Sequence, residues 1–379
     1  MNAGPWLRVP PPGYGGIENV IATLVPELRR RGVTVVLCGV AGSTLEADRF
    51  VPTLAEPQFP NLAGPYGRMA GVAHAHMLTV LEELRRDPSI DLVHDHLEVV
   101  GPSMLAAANG PPVLHTLHWD LRKHPDFYGA FDGRGRVHFN GVSPAQVARA
   151  PAHLRRQVLG AVPLGVPVER MPFGRRKRNY VAMLGRITYD KGQDVAAQIC
   201  RRLGLPLRLA GPVGGIDGPR ALERALADPS GPACANDDVR FFRSRVEPLL
   251  DNDLVRWDGT LAGAEKLDFI ARARACLFPG RWHEPGGTAV VEALACGTPV
   301  VATRRGAMRT LVQHGVTGYL ADNEEELAAY LGRVDEIDPA ACRAAAEERF
   351  SAGLMAERYL DLYEVVLERS ASAGLALPA

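Results

Sequence analysis

The feature that most constrains this chain is a series of short apolar runs, rich in Val and Leu, that alternate with longer amphipathic segments. The series occurs twice, on either side of a stretch rich in Pro, Gly and Arg at Val162–Arg178. Buried parallel strands are continuous apolar runs and the helices between them have a 3.6-residue period, so each half predicts βαβ units around a parallel sheet. Because 379 residues exceed what one hydrophobic core usually holds, we expect two α/β domains joined by that stretch.

The individual elements follow from the same pattern. The predicted strands are Val33–Gly39, Leu92–His94, Val113–Leu117, Tyr180–Leu184, Leu207–Ala210, Val255–Trp257, Ala275–Phe278 and Val300–Ala302. The clearest predicted helices are Glu18–Arg31 and Asp194–Leu203. We therefore predict two facing Rossmann-like domains with a cleft between them, at residues 1–170 and 171–353. A final helix at about residues 354–370 can pack back on the first domain.

Composition excludes several classes of function. Lys and Arg together number 43, as do Asp and Glu, so no net charge draws the whole protein to nucleic acid or an anionic membrane. The six cysteines are scattered without a CxxC pair, which argues against a zinc site and a disulfide framework. The chain has no signal region and no apolar run of about 18 residues, so we expect a cytoplasmic protein without stable membrane insertion.

Three segments combine glycines with charged residues near strand or helix ends. The first is YGGIE, Tyr14–Glu18, where Gly15 and Gly16 precede a helix. Glycine allows close approach of the backbone to a ligand, and the free N–H groups of a helix start favour an anion. A plain turn that starts the helix explains the same residues, and the sequence leaves both readings open.

The second segment is LGRITYDKGQD, Leu184–Asp194, which begins at the end of a predicted strand. Ligands of parallel sheets bind at the carboxyl ends of strands. Arg186 and Lys191 lie five residues apart on this loop and could present two cations to one polyanion. A solvated surface pair is the alternative.

The third segment, residues 281–306, holds Glu284 and Glu292 on either side of a Gly-Gly-Thr. A helix that begins near Thr288 would leave the N–H groups of Gly286, Gly287, Thr288 and Ala289 free for a phosphate or a sugar hydroxyl. The two carboxylates could accept hydrogen bonds from vicinal hydroxyls on two parts of one ligand. An ordinary acidic helix start would explain Glu284, but not the glycines around it.

Histidines follow two predicted strands of the first half. His94, Asp95 and His96 follow one, and His115 and His118 follow the next. Their spacing matches no standard zinc motif. Each histidine is therefore either a substrate contact at a strand end or a hydrogen-bonded structural residue.

Taken together, these segments resemble the retaining glycosyltransferases of family 4, which have the GT-B fold. The segments PPPGYGGIENV, LGRITYDKG, EKLDFIARARACLFPGRWHEPGGTAVVEALACGTPVVATRRG and GVTGYLAD follow in that family's order along nearly the whole chain. The proline-rich start is most similar to the subgroup that includes an avilamycin-biosynthesis glycosyltransferase.

The resemblance implies a role for each candidate residue. Glu292 would bind the ribose of a nucleotide-sugar, and Glu284 with the amides of Gly286–Ala289 would bind the sugar and phosphate. Arg186 and Lys191 would bind the diphosphate opposite Gly15 and Gly16 of the other domain. His118 would lie near the anomeric carbon. It also implies transfer to a saccharide or natural-product hydroxyl, with retention of configuration. The expected co-substrate is a UDP-sugar, and the resemblance implies neither a metal nor a cofactor.

The sequence departs from the family pattern at two places. The usual EPFG reads EPGG, so Gly286 replaces a Phe. The apolar first strand is also reduced, and only Trp6–Val9 could serve in its place unless the true start lies upstream.

Other reactions and roles remain open at this point. The same fold would serve a sugar phosphorylase, a nucleotide-sugar epimerase or an inactive sugar-nucleotide-binding protein. The segment His118–Arg136 mixes aromatic, histidine and charged residues in a predicted loop, and we expect it to select the acceptor.

Overall fold

A computed structural model describes residues 1–13 and 15–372 of the chain. It contains twelve named strands within these residues. They are β1 (Val36–Gly39), β2 (Arg49–Pro52), β3 (Val93–Asp95), β4 (Val113–Leu117), β5 (Val137–Gly141), β6 (Val158–Ala161), β7 (Val181–Leu184), β8 (Leu207–Ala210), β9 (Val255–Trp257), β10 (Ala275–Phe278), β11 (Val300–Thr303) and β12 (Gly318–Ala321). Every pair of neighbouring strands is parallel.

The helices between the strands vary from single turns to long amphipathic segments. They are α1 (Ile17–Arg30), α2 (Tyr66–Arg86), α3 (Val100–Ala107), α4 (Pro125–Ala130), α5 (Pro144–Ala148), α6 (Ala152–Arg155), α7 (Gln193–Leu203), α8 (Pro219–Leu226), α9 (Pro232–Ala235), α10 (Asp237–Phe241), α11 (Gly263–Arg272), α12 (Thr288–Ala295), α13 (Met308–Leu311), α14 (Glu324–Leu331), α15 (Pro339–Phe350) and α16 (Ala352–Ser372). Within the described residues, no helix is long and apolar enough to cross a membrane.

The chain divides into two compact units. Among the described residues, unit 1 comprises Met1–Gly165 together with Ala352–Ser372, and unit 2 comprises Val166–Ser351. The chain thus passes from unit 1 to unit 2 after Gly165, five residues before the predicted boundary at residue 170. The predicted linker is also well packed, because Val162 and Leu164 belong to the core of unit 1 and Val168 belongs to that of unit 2.

Unit 2 contains a six-stranded sheet with the order β12-β11-β10-β7-β8-β9. One apolar cluster covers each face of this sheet, which explains why its strands are continuous apolar runs. The chain proceeds outward from β7 to β9 and then returns to build the other half from β10 to β12. The strand order therefore reverses between β7 and β10, and such a reversal opens a crevice at the carboxyl ends of the two strands.

In unit 1 the sheet has a different first strand from the one we predicted. Trp6–Val9 forms no strand, so that assignment is wrong. Instead Asn2 makes parallel bridges to Cys38 on one side and Asp95 on the other. Its N–H donates to the carbonyl of His94 at 2.8 Å and its carbonyl accepts from His96 at 3.2 Å. Three residues at the start of the chain thus join the β1–β2 pair to the sheet β3-β4-β5-β6.

The last helix, α16, belongs to unit 1. Its residues Met355, Ala356, Tyr359 and Val366 share an apolar cluster with Ile21 and Leu24 of α1. Tyr359 is also within 3.2 Å of Thr116 on β4 through its hydroxyl. The helix is two residues longer at each end than the predicted range 354–370.

Four strands were not predicted, namely β2, β5, β6 and β12. β5 has the sequence VHFNG, in which polar residues alternate with apolar ones although all five are buried. β6 and β12 each contain a glycine, and β2 is partly exposed. None of the four is the uninterrupted Val- and Leu-rich run on which the prediction depended.

Candidate active site

The crevice at the β7–β10 reversal holds a small pocket that is open to solvent. It is lined by Met183, Leu184, Lys191, Phe278, Gly280, Trp282, Glu284, Thr303, Arg305 and Met308. Lys191 comes from the loop after β7, while Trp282 and Glu284 come from the loop after β10. The two polar segments predicted from the sequence therefore meet at this edge of the sheet, where parallel α/β proteins bind ligands.

Lys191 lies at the centre of the polar residues in this cavity. Its Nζ forms an ion pair with the carboxylate of Glu284 and lies 4.9 Å from the ring centroid of Trp282. The two charged side chains are 27% and 18% exposed, so a ligand in the cavity can reach both. An ammonium held by a carboxylate and an aromatic face can exchange those contacts for a ligand anion.

A second set of contacts fixes the β10 loop against the β7 loop. Arg281 forms a bidentate ion pair with Asp194 at 2.9 and 2.8 Å, and its guanidinium lies 4.4 Å from the ring centroid of Tyr189. Gly192 has φ +79°, and a Cβ there would lie 2.6 Å from the carbonyl oxygen of Pro279. The two loops pack so closely that only glycine fits at their contact.

The start of α12 presents free amide groups at the same edge. Gly287 is the N-cap of α12 and has φ +70°, a left-handed conformation that favours glycine. Within residues 1–13 and 15–372, the N–H groups of Gly286, Gly287, Thr288 and Ala289 donate no hydrogen bond. These four amides lie at the positive end of an eight-residue helix and can bind an anion.

The backbone of Glu284 is held by the turn after β11. The N–H of Ala307 donates to the carbonyl of Glu284 at 2.8 Å. A Cβ at Gly306 would lie 2.4 Å from the carbonyl oxygen of Glu284 and 2.6 Å from its nitrogen. The glycine at the end of the predicted segment therefore lets the β11 turn pack directly on the Glu284 backbone.

Glu292 lies one turn into α12 and does not line the cavity. Its Oε1 accepts from Nζ of Lys266 on α11 at 2.6 Å, which leaves Oε2 for a ligand hydroxyl. Lys266 was not predicted from the sequence, although it lies in the segment EKLDF, which carries part of the family resemblance. A lysine in an amphipathic helix carries no signal that distinguishes it from a solvated surface residue.

Arg186 is exposed and does not join the Lys191–Glu284 pair. In the part of the chain that the structure describes, no carboxylate lies within ion-pair distance of its guanidinium. It faces Asp238 of α10, where burial raises the pKa of the Asp238 carboxyl and the nearby Arg186 opposes that shift. Arg186 is therefore free to turn toward a ligand anion.

Gly15, Gly16 and His118 belong to unit 1, and Tyr14 lies outside the described residues. Gly15 is required locally, because a Cβ there would lie 2.5 Å from Cγ of Pro11. Gly16 caps α1 with a helical φ of −87° and open space around it. Glu18 in the first turn is buried, and burial raises its pKa to about 7.

His118 follows β4 and contacts another histidine. Its Nε2 lies 2.8 Å from Nδ1 of His96, and the two rings stack with centroids 5.1 Å apart. Burial, with a contribution from nearby His115, lowers the pKa of His118 to about 3. The side chain is nevertheless partly exposed, so His118 can contact a ligand as a neutral imidazole.

The other predicted histidines have structural contacts. His115 donates through Nδ1 to Asp95 at 2.5 Å, and both side chains are fully buried. His94 lies between Tyr363 and Thr116, each at 2.7 Å. Among residues 1–13 and 15–372, no group of three His, Cys, Asp or Glu side chains has the arrangement of a metal site.

The predicted acceptor segment, His118–Arg136, folds into a short 3₁₀ turn followed by α4. Trp119 donates through Nε1 to the hydroxyl of the buried Tyr128 at 2.9 Å. Lys123 and His124 both contact the same Oε1 of Glu98, at 2.8 and 2.9 Å. These contacts hold the segment beside the carboxyl end of β4, next to His118.

Comparison with known families agrees with this architecture. Residues 169–349 match the family described as glycosyl transferases group 1, and residues 14–158 match glycosyltransferase family 4. The two matches fall in unit 2 and unit 1, respectively, and together they include most of the chain.

Individual relatives and solved structures extend the comparison. D-inositol 3-phosphate glycosyltransferases of Acidothermus cellulolyticus and Nocardiopsis dassonvillei are each 28% identical to this chain. The alignments cover 85% and 84% of it, and 69% and 81% of the relatives. AviGT4, a glycosyltransferase involved in avilamycin A biosynthesis, has a similar structure with a TM-score of 0.63 and 23% identity over 97% of both chains. HepE of Anabaena, in complex with UDP and glucose, has a TM-score of 0.68 and 18% identity over 93% of this chain and 96% of that one. The chain therefore belongs to the family 4 glycosyltransferases, and its two Rossmann-like units have the GT-B fold.

Proposed function

We propose that this glycosyltransferase transfers a sugar from a nucleoside-diphosphate sugar, with a UDP-sugar as the expected donor, to a hydroxyl group of a saccharide or natural product. The observation that carries the proposal is the Lys191–Glu284–Trp282 cluster beside the free amides of α12. It offers a cation and N–H groups for a diphosphate, and a carboxylate for sugar hydroxyls. The structure of HepE with UDP and glucose supports the same class of donor.

The proposed chemistry depends on charge at the leaving group. Cleavage of the sugar–phosphate bond places negative charge on the departing diphosphate, and preorganised cations and amides stabilise that charge. Lys191 leaves Glu284 to bind the diphosphate, and the exposed Arg186 supplies a second cation. Glu284 then orients the sugar through its hydroxyls. We propose that no metal takes part, because these groups can neutralise the diphosphate.

The stereochemical proposal is retention of the anomeric configuration. The reaction passes through an oxocarbenium-like ion pair with no protein nucleophile, so Glu284 forms no bond to the sugar. Glu292 binds the ribose through Oε2, while Lys266 holds Oε1 in place.

The decisive experiment incubates the purified protein with UDP-sugars and hydroxyl acceptors in the presence of EDTA. Proton NMR of the product should show an α-glycoside from an α-linked donor. A β-glycoside, or activity that chelation abolishes and magnesium or manganese restores, would contradict the mechanism. Epimerised donor in the absence of acceptor would identify an epimerase, and dependence on inorganic phosphate would identify a phosphorylase.

Binding of UDP tests the donor site separately. We expect Glu292→Ala to weaken UDP binding in calorimetry and to leave the fold intact. The control is Glu336→Ala, which removes an exposed carboxylate of unit 2 that pairs with Arg333. An equal dissociation constant for UDP in Glu292→Ala and wild type would exclude the ribose contact.

A further inference from the structure

Three imidazole rings lie next to one another at the carboxyl ends of β3 and β4, and we call His94, His96 and His118 the histidine ladder. Ring centroids are 4.2 Å apart between His94 and His96 and 5.1 Å apart between His96 and His118. Burial lowers the pKa of each ring well below the usual value near 6.5, so all three are neutral at pH 7. A neutral imidazole has one N–H donor and one nitrogen that only accepts, so each ring has a defined tautomer.

Met1 determines the tautomer of His96. Its Sδ lies 3.2 Å from Nε2 of His96. A thioether sulfur accepts hydrogen bonds weakly and has no hydrogen to donate, so this contact places the proton of His96 on Nε2. Nδ1 of His96 is then an acceptor. The atom that lies 2.8 Å from it, Nε2 of His118, must therefore carry the proton of His118.

His94 has the same tautomer for an independent reason. The hydroxyl of Thr116 donates to Oδ1 of Asn140 at 2.8 Å, so its oxygen accepts from Nε2 of His94 at 2.7 Å. Nδ1 of His94 accepts from the hydroxyl of Tyr363 at 2.7 Å. Burial raises the pKa of Tyr363 well above its usual value, which keeps that hydroxyl protonated. The ladder thus carries every N–H on Nε2.

We infer that His96, with Met1 behind it, is a positioning residue that holds His118 in the Nε2–H tautomer, so that His118 presents an unprotonated Nδ1 to the substrate. Within the described residues, Nδ1 of His118 has no hydrogen-bond partner. An unprotonated nitrogen accepts a hydrogen bond, so its partner is a hydroxyl group of the donor sugar or of the acceptor. His118 cannot donate a proton to the departing diphosphate from this nitrogen.

The tautomer can be observed without any assay of sugar transfer, whereas its catalytic use rests on the proposed function. Nitrogen NMR of the full chain with ¹⁵N-labelled histidine reports which ring nitrogen is protonated. His118→Gln identifies the signals of His118 by their loss. We expect Nε2 of His118 to show the shift of a protonated nitrogen and Nδ1 that of an unprotonated one. The opposite assignment, or a doubly protonated ring at pH 7, would overturn the inference.

Two variants of His96 test the positioning role. His96→Phe keeps a ring in the stack but removes the acceptor at Nδ1, whereas His96→Asn keeps an acceptor near that position. We expect His96→Phe to mix the tautomers of His118 and to lower kcat about tenfold, the effect of one hydrogen bond, with little change in UDP binding. His96→Asn should retain the wild-type tautomer and most of the kcat.

The outcomes separate the two proposals. Equal losses of kcat in His96→Phe and His96→Asn would contradict the positioning role. If His96→Phe does not fold, the wild-type spectrum and His96→Asn still decide the tautomer. A wild-type protein with the inferred tautomer and no transferase activity would contradict the proposed function while supporting the inference about His96 and His118.

Discussion

The carboxyl ends of the two parallel sheets hold polar side chains of different kinds. In unit 1 these side chains are mainly imidazoles, amides and hydroxyls that are buried and hydrogen-bonded to each other. In unit 2 they are charged residues in partly exposed ion pairs, such as Lys191–Glu284 and Lys266–Glu292. Both sets lie at the point where the strand order of their sheet reverses.

The difference follows from the cost of burying charge. A buried imidazole avoids that cost by staying neutral, and its hydrogen bonds then fix its tautomer and orientation. A partly exposed ion pair keeps its charge and can exchange one partner for a ligand. We therefore expect unit 1 to orient substrate hydroxyls and unit 2 to neutralise a diphosphate. Four predictions test this contrast between the two units.

The largest effect is expected from loss of the cation in unit 2. Lys191→Ala should lower kcat of sugar transfer by about 10²–10³-fold, about 2.7–4 kcal/mol, because it removes a preorganised partner of the leaving diphosphate. Steady-state kinetics with a UDP-sugar measure the change. Arg333→Ala removes a cation from an exposed pair of the same unit and should leave kcat unchanged. A loss of kcat below tenfold for Lys191→Ala would show that the positive charge of Lys191 is not a main stabiliser of the departing diphosphate.

The second prediction concerns the stability of unit 1 at low pH. His76 is fully buried between Thr53 and Asn2, and burial lowers its pKa to about 4. Because the unfolded chain has the usual histidine pKa near 6.5, it takes up a proton first as the pH falls. This ring should therefore lower the free energy of unfolding of unit 1 by about 3 kcal/mol between pH 6.5 and 4, in addition to the decrease from other buried histidines such as His94 and His96.

Urea unfolding followed by hydrogen exchange of each unit would measure this decrease. His76→Gln removes this titrating ring and should reduce the acid dependence of unit 1 by the same amount, whatever its stability at pH 7. The free energy of unfolding of unit 2, measured at the same pH values, serves as the internal reference for the effect of His76. Equal acid dependence in wild type and His76→Gln would contradict the assignment.

The third prediction concerns the backbone under Glu284. Gly306→Ala places a Cβ 2.4 Å from the carbonyl oxygen of Glu284, at a residue with φ +55°. We expect a loss of about 1–3 kcal/mol in the free energy of unfolding and weaker UDP binding, because Glu284 must move. Gly315→Ala is the matched control, since Gly315 has φ +78° but open space around it. If the two variants bind UDP equally well, contact with Gly306 does not position Glu284.

The smallest effect is expected at Lys266. Its pair with Glu292 is partly exposed, so Lys266→Ala should lower the free energy of unfolding by no more than about 1 kcal/mol. Binding of UDP should weaken more than stability, because the carboxylate of Glu292 loses the partner that orients it. Calorimetry and thermal unfolding of one preparation provide both values. A change in stability alone would assign the pair a structural role.

The accuracy of the sequence-based predictions differs between these regions for physical reasons. Most residues of strands β7 to β11 are apolar because both faces of their sheet are covered, and the pattern predicts each strand closely. β5 was missed because His138 and Asn140 alternate with apolar residues in a buried strand. The wrong assignment of the first strand to Trp6–Val9 has the same origin. Asn2 is a polar residue that pairs in the sheet through its backbone, so it carries no hydrophobic signal.

The side-chain pairs of the candidate site were also only partly predictable from the sequence. The resemblance to the family implied that Lys191 and Glu284 share a ligand, and the strand pattern placed the loop of Lys191 at the carboxyl end of a strand. The pairs Arg281–Asp194 and Lys266–Glu292 join residues 87 and 26 positions apart, and their formation depends on helix packing and side-chain conformation. The histidine ladder similarly depends on Met1 and on ring orientation, neither of which has a sequence period.

The return of α16 to unit 1 has a consequence for synthesis of the chain on the ribosome. All residues of unit 2 are contiguous, so its core is complete once Ser351 has emerged. The core of unit 1 lacks Met355, Ala356, Tyr359 and Val366 until α16 follows. Nascent chains usually fold their N-terminal domain first. Here the domain that is translated first is finished last, and until then it exposes the apolar face of α1 to which chaperones can bind.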